Sequence, residues 1–230
     1  MTVIGKSAFG AMLVLALTSA ATVAQAVTVS GTFNISVYQG SGSGHITDPQ
    51  EQAQQGNPLI APATLIGSGT YVGGLNFNAS QDTIGSFFSS GGGTLTGTLT
   101  GLSSTALSDP TFGLTTVFVI TGNTGGNTTG GIITHDDGMS LYDGVNFSHL
   151  VAGAAPPTVS EQTSYAGLNG DWQLIYVEAN GIPAILDFDQ STSSETPPST
   201  PLPATVWLLG SVLAGGAGFG KWRRRRAVAA

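Results

Sequence analysis

Residues 171–189 read DWQLIYVEANGIPAILDFD, and this stretch decides the fold class. Two β-like runs, Asp171 to Ala179 and Ile182 to Asp189, flank Asn180-Gly181. Apolar and polar residues that alternate over so few positions belong to strands, because successive side chains of a strand point to opposite faces. Both residues of Asn-Gly tolerate positive φ, which suits a type I′ turn, so the segment predicts two antiparallel strands joined as a tight hairpin.

Outward from this segment the same signals recur. From Val27 to Tyr38, Val27, Val29, Phe33, Ile35 and Val37 alternate with Thr28, Ser30, Thr32, Asn34 and Ser36, predicting one half-buried strand. Thr115-Thr116-Val117-Phe118-Val119-Ile120 offers burial on both faces and predicts a central strand. Further short runs lie around Leu65, from Tyr71 to Phe77, Thr94 to Thr100, Phe112 to Thr121 and Ile132 to Tyr142, with glycines between them. Gly40 to Gly44 reads as a flexible turn. Asp48-Pro49 opens a Gln-rich stretch closed by Gly56, where an acidic cap, an early proline and a terminal glycine predict one short surface helix. Many short strands with hardly any helix predict an all-β domain, a β-sandwich or jelly-roll, over residues 27–190. No repeat of fixed period is visible, which argues against a solenoid or propeller.

The chain has 230 residues, 34 glycines, no cysteine, and only 8% charged residues, about a third of the usual share. The six cations are Lys6, Lys221, Arg223, Arg224, Arg225 and Arg226, whereas all thirteen acids lie between Asp48 and Glu195. The stretch from Val27 to Thr200 therefore has no lysine or arginine. Nothing in it neutralises phosphate, which excludes nucleic-acid binding, Schiff-base lysines and arginine clamps. Without disulfides the fold rests on burial and strand pairing.

The two ends describe export. Lys6, the apolar run Ala8 to Leu17 and the small-residue site Ala24-Gln25-Ala26 have the order of a secretory signal peptide, residues 1–26, cleaved after Ala26 by the general secretion route. The run is too short for a bilayer anchor. At the other end, residues 191–200 form a Ser/Thr/Pro linker that reads as an extended tether. Residues 202–220 are uncharged and mostly apolar, about 28 Å as a helix, enough for a thin bilayer core. Lys221, Trp222 and Arg223 to Arg226 then read as a stop-transfer cluster held on the cytoplasmic side.

Pro201-Leu202-Pro203-Ala204 followed by a Gly/Ala-rich helix and an arginine run resembles the PEP-CTERM sorting signal in its VPLPA variant, with Thr200 where that variant has valine. The resemblance covers residues 201–226. It implies an envelope or biofilm protein of a Gram-negative bacterium, handed from the inner membrane to an exosortase and delivered to the cell surface or extracellular matrix. The other reading of the tail is an ordinary single-pass anchor.

The most site-like segment is Thr134-His135-Asp136-Asp137-Gly138-Met139-Ser140-Leu141-Tyr142-Asp143-Gly144. Adjacent carboxylates at a glycine turn offer several oxygens to one hard cation, and calcium takes six to eight. The alternative is a solvated turn in which Asp136 and Asp137 accept backbone amides. Asp136-Asp137-Gly138-x-Ser140-Leu141-Tyr142-Asp143-Gly144, with Trp172-x-Leu174-x-Tyr176-x-Glu178-x-Asn180-Gly181 and Leu186-x-Phe188, resembles the protective-antigen-type β-sandwich of glycosidases, toxins and flocculin adhesins. In its sugar-binding branch the resemblance implies calcium on the residues that Asp136 and Asp137 match, the ion in turn holding sugar hydroxyls. The family's other ligands have no visible match here.

Enzymatic signatures are missing from the sequence. There is no cysteine nucleophile, no GxSxG elbow, no P-loop or dinucleotide fingerprint, and His45, His135 and His149 lack metal-ligand spacing. A two-carboxylate glycosidase would have to use Glu178 and Asp187, which the predicted hairpin sets on neighbouring strands; the plainer reading makes both exposed strand-end acids. The sequence therefore predicts a non-enzymatic exported protein with a structural or adhesive role beside extracellular polysaccharide, assisted by calcium. A secreted polysaccharide-active hydrolase is the alternative.

Overall fold

A computed structural model describes residues 26–42 and 44–191. Among them the strands are β1 (Ala26–Thr28), β2 (Ser30–Ser41), β3 (Leu65–Gly74), β4 (Asn76–Ala79), β5 (Thr94–Leu95), β6 (Leu114–Asn123), β7 (Thr129–Asp136), β8 (Met139–Asp143), β9 (His149–Ala154), β10 (Glu161–Leu168), β11 (Asp171–Glu178) and β12 (Ala184–Ser191), with one helix, α1 (Ile84–Ser90), between β4 and β5. They form two antiparallel sheets. One has seven strands in the order β5-β3-β2-β6-β11-β8-β9. The other has five, β10-β7-β12, with β1 and β4 sharing the far edge of β12. The domain is all-β, as the sequence predicts.

The main core lies between the sheets. Phe33, Ile35, Phe118, Ile120, Leu174 and Tyr176 face it from the larger sheet, and Phe77, Ile133, Leu186 and Phe188 from the smaller. β6 sits fourth of seven strands, the central place expected from its two apolar faces. Its second face is buried because Ala53 and Leu59, from the Gln-rich stretch, pack on Val117, Ile175 and Val177 from outside. That stretch is a cover for the sheet, and only Pro49–Glu51 is helical, as a single 3-10 turn whose Asp48 makes no side-chain cap. Glu51 is buried and accepts the Thr115 hydroxyl.

Five runs divide differently from expectation, and four of them divide where the chain changes sheets. Tyr71–Phe77 breaks at Leu75, between β3 and β4 in different sheets. The Val27–Tyr38 strand breaks at Val29, whose amide donates to the Phe188 carbonyl while its own carbonyl accepts Leu75 N–H. Ile132–Tyr142 breaks between β7 and β8, in different sheets. The final hairpin does not exist: β11 pairs with β6 and β8, β12 with β7, β4 and β1. Alternation cannot separate a hairpin from an arch, since both bury one face of each strand. Thr94–Thr100 keeps two strand residues and becomes the 3-10 turn Gly97–Leu102.

The α-helix was not expected. Thr83 caps it, accepting Ser86 N–H at 3.1 Å, and Ile84, Phe87 and Phe88 line its buried side. Phe87 stacks on Tyr176 with ring centroids 5.6 Å apart and planes 6° apart, and meets Phe118 at 4.8 Å. The helix fills the sandwich between Phe77 and Tyr176. Phe87→Ala should lower unfolding free energy by about 3–5 kcal/mol, measured by urea denaturation, whereas Ser89→Ala on the exposed side should change it by less than about 0.5 kcal/mol.

Candidate functional site

Two crossings between the sheets run side by side at one end of the sandwich. Asp137-Gly138 carries the chain from β7 to β8, and Ala179 to Pro183 carries it from β11 to β12. Register holds them together: Ile185 stands opposite Asp136, and Tyr176 opposite Met139. Val177 N–H donates to the Gly138 carbonyl at 3.0 Å. A Cβ on Gly138 would stand 2.2 Å from the Ala155 carbonyl oxygen, so only glycine lets the third segment approach. The Asp136–Asp137 and Ile182–Pro183 peptide bonds are cis.

The Asp137 side chain ties these segments. It is fully buried, and its Oδ2 accepts Ala179 N–H at 2.8 Å and Asn180 N–H at 3.1 Å while Oδ1 accepts Thr158 N–H at 3.1 Å. Amides that a hairpin would pair across its own turn are thus taken by a carboxylate from another segment. Gly181 N–H goes to Ser108 Oγ at 3.1 Å for the same reason. Of the two sequence readings of this turn, the amide-accepting one describes what Asp137 does inside the protein, although the turn is buried rather than solvated.

Glu178 joins the pair from β11. It is fully buried; its Oε1 accepts the Ser108 hydroxyl at 3.1 Å, and its Oε2 lies 2.8 Å from the Tyr176 hydroxyl. Tyr176 also donates to the Asp136 carbonyl. A phenol has one hydrogen for two acceptors, so with that hydrogen on Asp136 the Glu178 carboxyl must bring its own. A protonated Glu178 satisfies both bonds. Burial, then the nearby Asp137 charge, pushes Glu178 well above the usual carboxylate range. Burial lifts Asp137 to about 7 against the pull of its three amides, and raises Asp136 as well. His135, also buried, donates from Nδ1 to the Asp137 carbonyl at 2.6 Å and accepts the Thr163 hydroxyl at Nε2, 2.9 Å. Burial pushes its pKa down, which keeps that ring neutral.

Sequence reading found Asp136 and Asp137 but not their partnership with Tyr176, Glu178, Ser108 and His135. One signal was available: Glu178 keeps phase with Trp172, Leu174 and Tyr176, so it had to point inward. Glu178 and Asp187, by contrast, are not brought together as a glycosidase pair. They lie on strands of different sheets, and Glu178 is sealed from solvent, so no sugar reaches it. Among the described residues no group of three or more His, Asp and Glu side chains is arranged around a metal position, and no helix is long and apolar enough to cross a membrane. Ala26 begins β1. Ala24 and the rest of the signal peptide, the motif Pro201-Leu202-Pro203-Ala204, the 202–220 span and the cluster Lys221, Arg223, Arg224, Arg225, Arg226 lie outside the described residues.

No protein-family model matches the chain, and no curated protein does. Two solved structures are similar to it. One is a PA14 sugar-binding domain from an RTX adhesin, 17% identical, covering 69% of this chain and 87% of its own, with a TM-score of 0.43. The other is the PA14 domain of the antifreeze protein MpAFP, 12% identical, covering 74% and 88%, with a TM-score of 0.46.

The raised carboxyls fix a pH dependence. Folded Asp137 keeps its proton to about pH 7, whereas the unfolded residue loses it near 3.8, so stability falls as pH rises through that interval. Depressed His135 acts oppositely but only below its ordinary 6.5. In chelator, unfolding free energy should therefore drop from about pH 6.5, above which His135 no longer opposes it, to about 7, where the Asp137 contribution levels off, by at most roughly 1.4 kcal/mol per pH unit for each proton. The Asp137→Asn protein should show a flatter profile over the same window, measured by urea melts.

Proposed function

We propose that this is an exported, non-enzymatic surface or matrix protein whose Asp136–Asp137 turn binds calcium and, through it, the hydroxyls of extracellular polysaccharide. The observation that carries this reading is a charge imbalance. Asp136, Asp137 and Glu178 are gathered at 6% exposure or less in a segment, Val27 to Thr200, that has no lysine or arginine to set against them. Desolvated carboxylates need a proton or a cation. Glu178 has the proton; Asp136, and Asp137 once it loses its own proton above about pH 7, are left for a divalent ion.

The donors fit calcium in kind and partly in number. Asp137 Oδ2 spends both lone pairs on Ala179 and Asn180, so Asp137 keeps one, on Oδ1, beyond the Thr158 bond, and Asp136 reaches the surface at 6% exposure. The backbone carbonyls of both residues are already taken by Tyr176 and His135. The carboxylates would therefore hold the ion, with water and sugar oxygens completing its shell. When bound, calcium supplies charge and open coordination positions for hydroxyls. The protein's part is to hold the carboxylates in place, which the amides of Thr158, Ala179 and Asn180 do for Asp137.

The adhesin-derived neighbour is named for sugar binding, in agreement with this reading. The export signals read in the sequence at both ends support a position outside the cell, the tail then engaging the secretion machinery, the membrane through residues 202–220, and an exosortase. Calorimetric titration of calcium into the purified protein at pH 8 should give a saturable response that disappears in Asp136→Ala/Asp137→Ala, and binding to neutral glycans on an array should be lost in chelator. A wild type silent to calcium, or a double variant with an unchanged response, removes the metal. Fractionation of cells with and without the exosortase should show release in the first and inner-membrane retention in the second. A full-length membrane form in both removes the sorting reading.

A further inference from the structure

The first and last strands of the domain meet at the pole opposite the carboxylates, where Ala26 stands across from Ser191. From Ile185, which faces Asp136, to Ser191 the last strand covers about 20 Å, at roughly 3.4 Å per residue. The two strands are held very unequally. β1 is three residues long and pairs on one side alone, at the edge of its sheet. β12, from which the chain continues into the linker and tail, is paired along both sides. On one side, residues 185–191 pair with 136–130 of β7. On the other, β4 takes residues 184–187, Phe188 exchanges bonds with Leu75 and Val29, and β1 takes residues 189–191, so no position is left open. The inward side chains of β12, Ala184, Leu186 and Phe188, are fully buried.

Register turns this pairing into a mechanical arrangement. β7 and β12 are antiparallel; the Asp136–Asp137 turn ends β7 at one pole, and Ser191 ends β12 at the other. A ligand held by the turn and whatever holds the tail therefore pull these two neighbours past each other along their axes. Load in that direction falls on all seven residue pairs of the ladder at once, whereas load that opens a ladder from one end breaks its pairs one after another. The bonds from Ala179 and Asn180 N–H to Asp137 Oδ2 stand in parallel with the ladder, since residues 179–183 lead straight into β12. We infer that this domain is a load-bearing link with the β7–β12 ladder as its clamp, carrying tension from a polymer held at the carboxylate pole to its own C-terminal tail without unfolding. Where ligand and tail attach is taken from the reading above; the strength of the ladder is not.

Single-molecule force spectroscopy tests the clamp with neither ligand nor membrane present. The chain has no cysteine, so two introduced ones are the only points of attachment. In the full-length protein, in detergent and EDTA, Thr134→Cys/Ser191→Cys sets the handles toward opposite ends of the ladder, and Thr128→Cys/Ser191→Cys sets both at the same pole. Thr128 is exposed, and Thr134 and Ser191 are half-buried, so the handles leave the core intact. At equal loading rate the first pair should rupture in one step at a force at least about twofold above the second, because the barrier to forced unfolding then contains several bonds broken together. Asp137→Asn should lower the first force and leave the second unchanged. Equal forces, a first pair weaker than the second, or an Asp137→Asn loss shared by both overturns the inference; if that variant does not fold, the comparison of the two pairs decides by itself. A calcium-silent protein that keeps the twofold contrast would sink the calcium reading and leave the clamp standing, whereas equal forces in a protein that binds calcium would sink the clamp alone.

Discussion

A carboxylate removed from water with no cation beside it is the constraint around which this domain is arranged. Asp137 is fully buried and holds three backbone amides from two other segments. Those bonds let both sheet-to-sheet crossings run side by side without leaving their N–H groups orphaned, which would cost about 1–3 kcal/mol each. Around it, Tyr176 and Glu178 share protons, and His135 is held neutral by burial. The α1 helix supports the arrangement from beneath through the Phe87–Tyr176 stack. Core packing and site chemistry therefore meet at one residue, Tyr176.

Much of this was legible from residue pattern. Thr115 to Ile120 announced the central strand, because only a strand covered on both sides has apolar residues at consecutive positions. Phe33, Ile35 and Val37 announced the buried face of β2. The Asp136–Asp137 turn stood out because carboxylate pairs are few in a chain so poor in charge. Pairing was another matter. Asp171–Asp189 reads identically as hairpin or arch, and what decides between them is an acceptor 42 residues away, Asp137, which takes the Ala179 amide. The α1 helix shows Thr83 as cap and Ile84, Phe87, Phe88 at helical spacing, but Gly85 and the surrounding serines hid it among turns.

The domain has two unlike poles. One is anionic and built from crossings that many hydrogen bonds hold in place. The other holds a cavity with no charged lining side chain among the described residues and gathers Phe33, Tyr165, Trp172 and Phe188 beside Gly31, with the Trp172 ring packed over Gly122. The strands between are ordinary scaffold, and their regularity makes the separation of the poles fixed rather than adjustable. The stretch from Val27 to Thr200, without lysine or arginine, offers no fixed cation to a polyanion. Divalent cations would relieve its self-repulsion as well as complete its site.

A crystal structure of the protein grown with calcium tests the central claim most directly. The account predicts an ion with at least one oxygen of Asp136 and one of Asp137 within about 2.3–2.6 Å, the Asp137 amide bonds to Thr158, Ala179 and Asn180 still in place. Both carboxylates contacting protein donors alone at saturating calcium, with no ion between them, would contradict it.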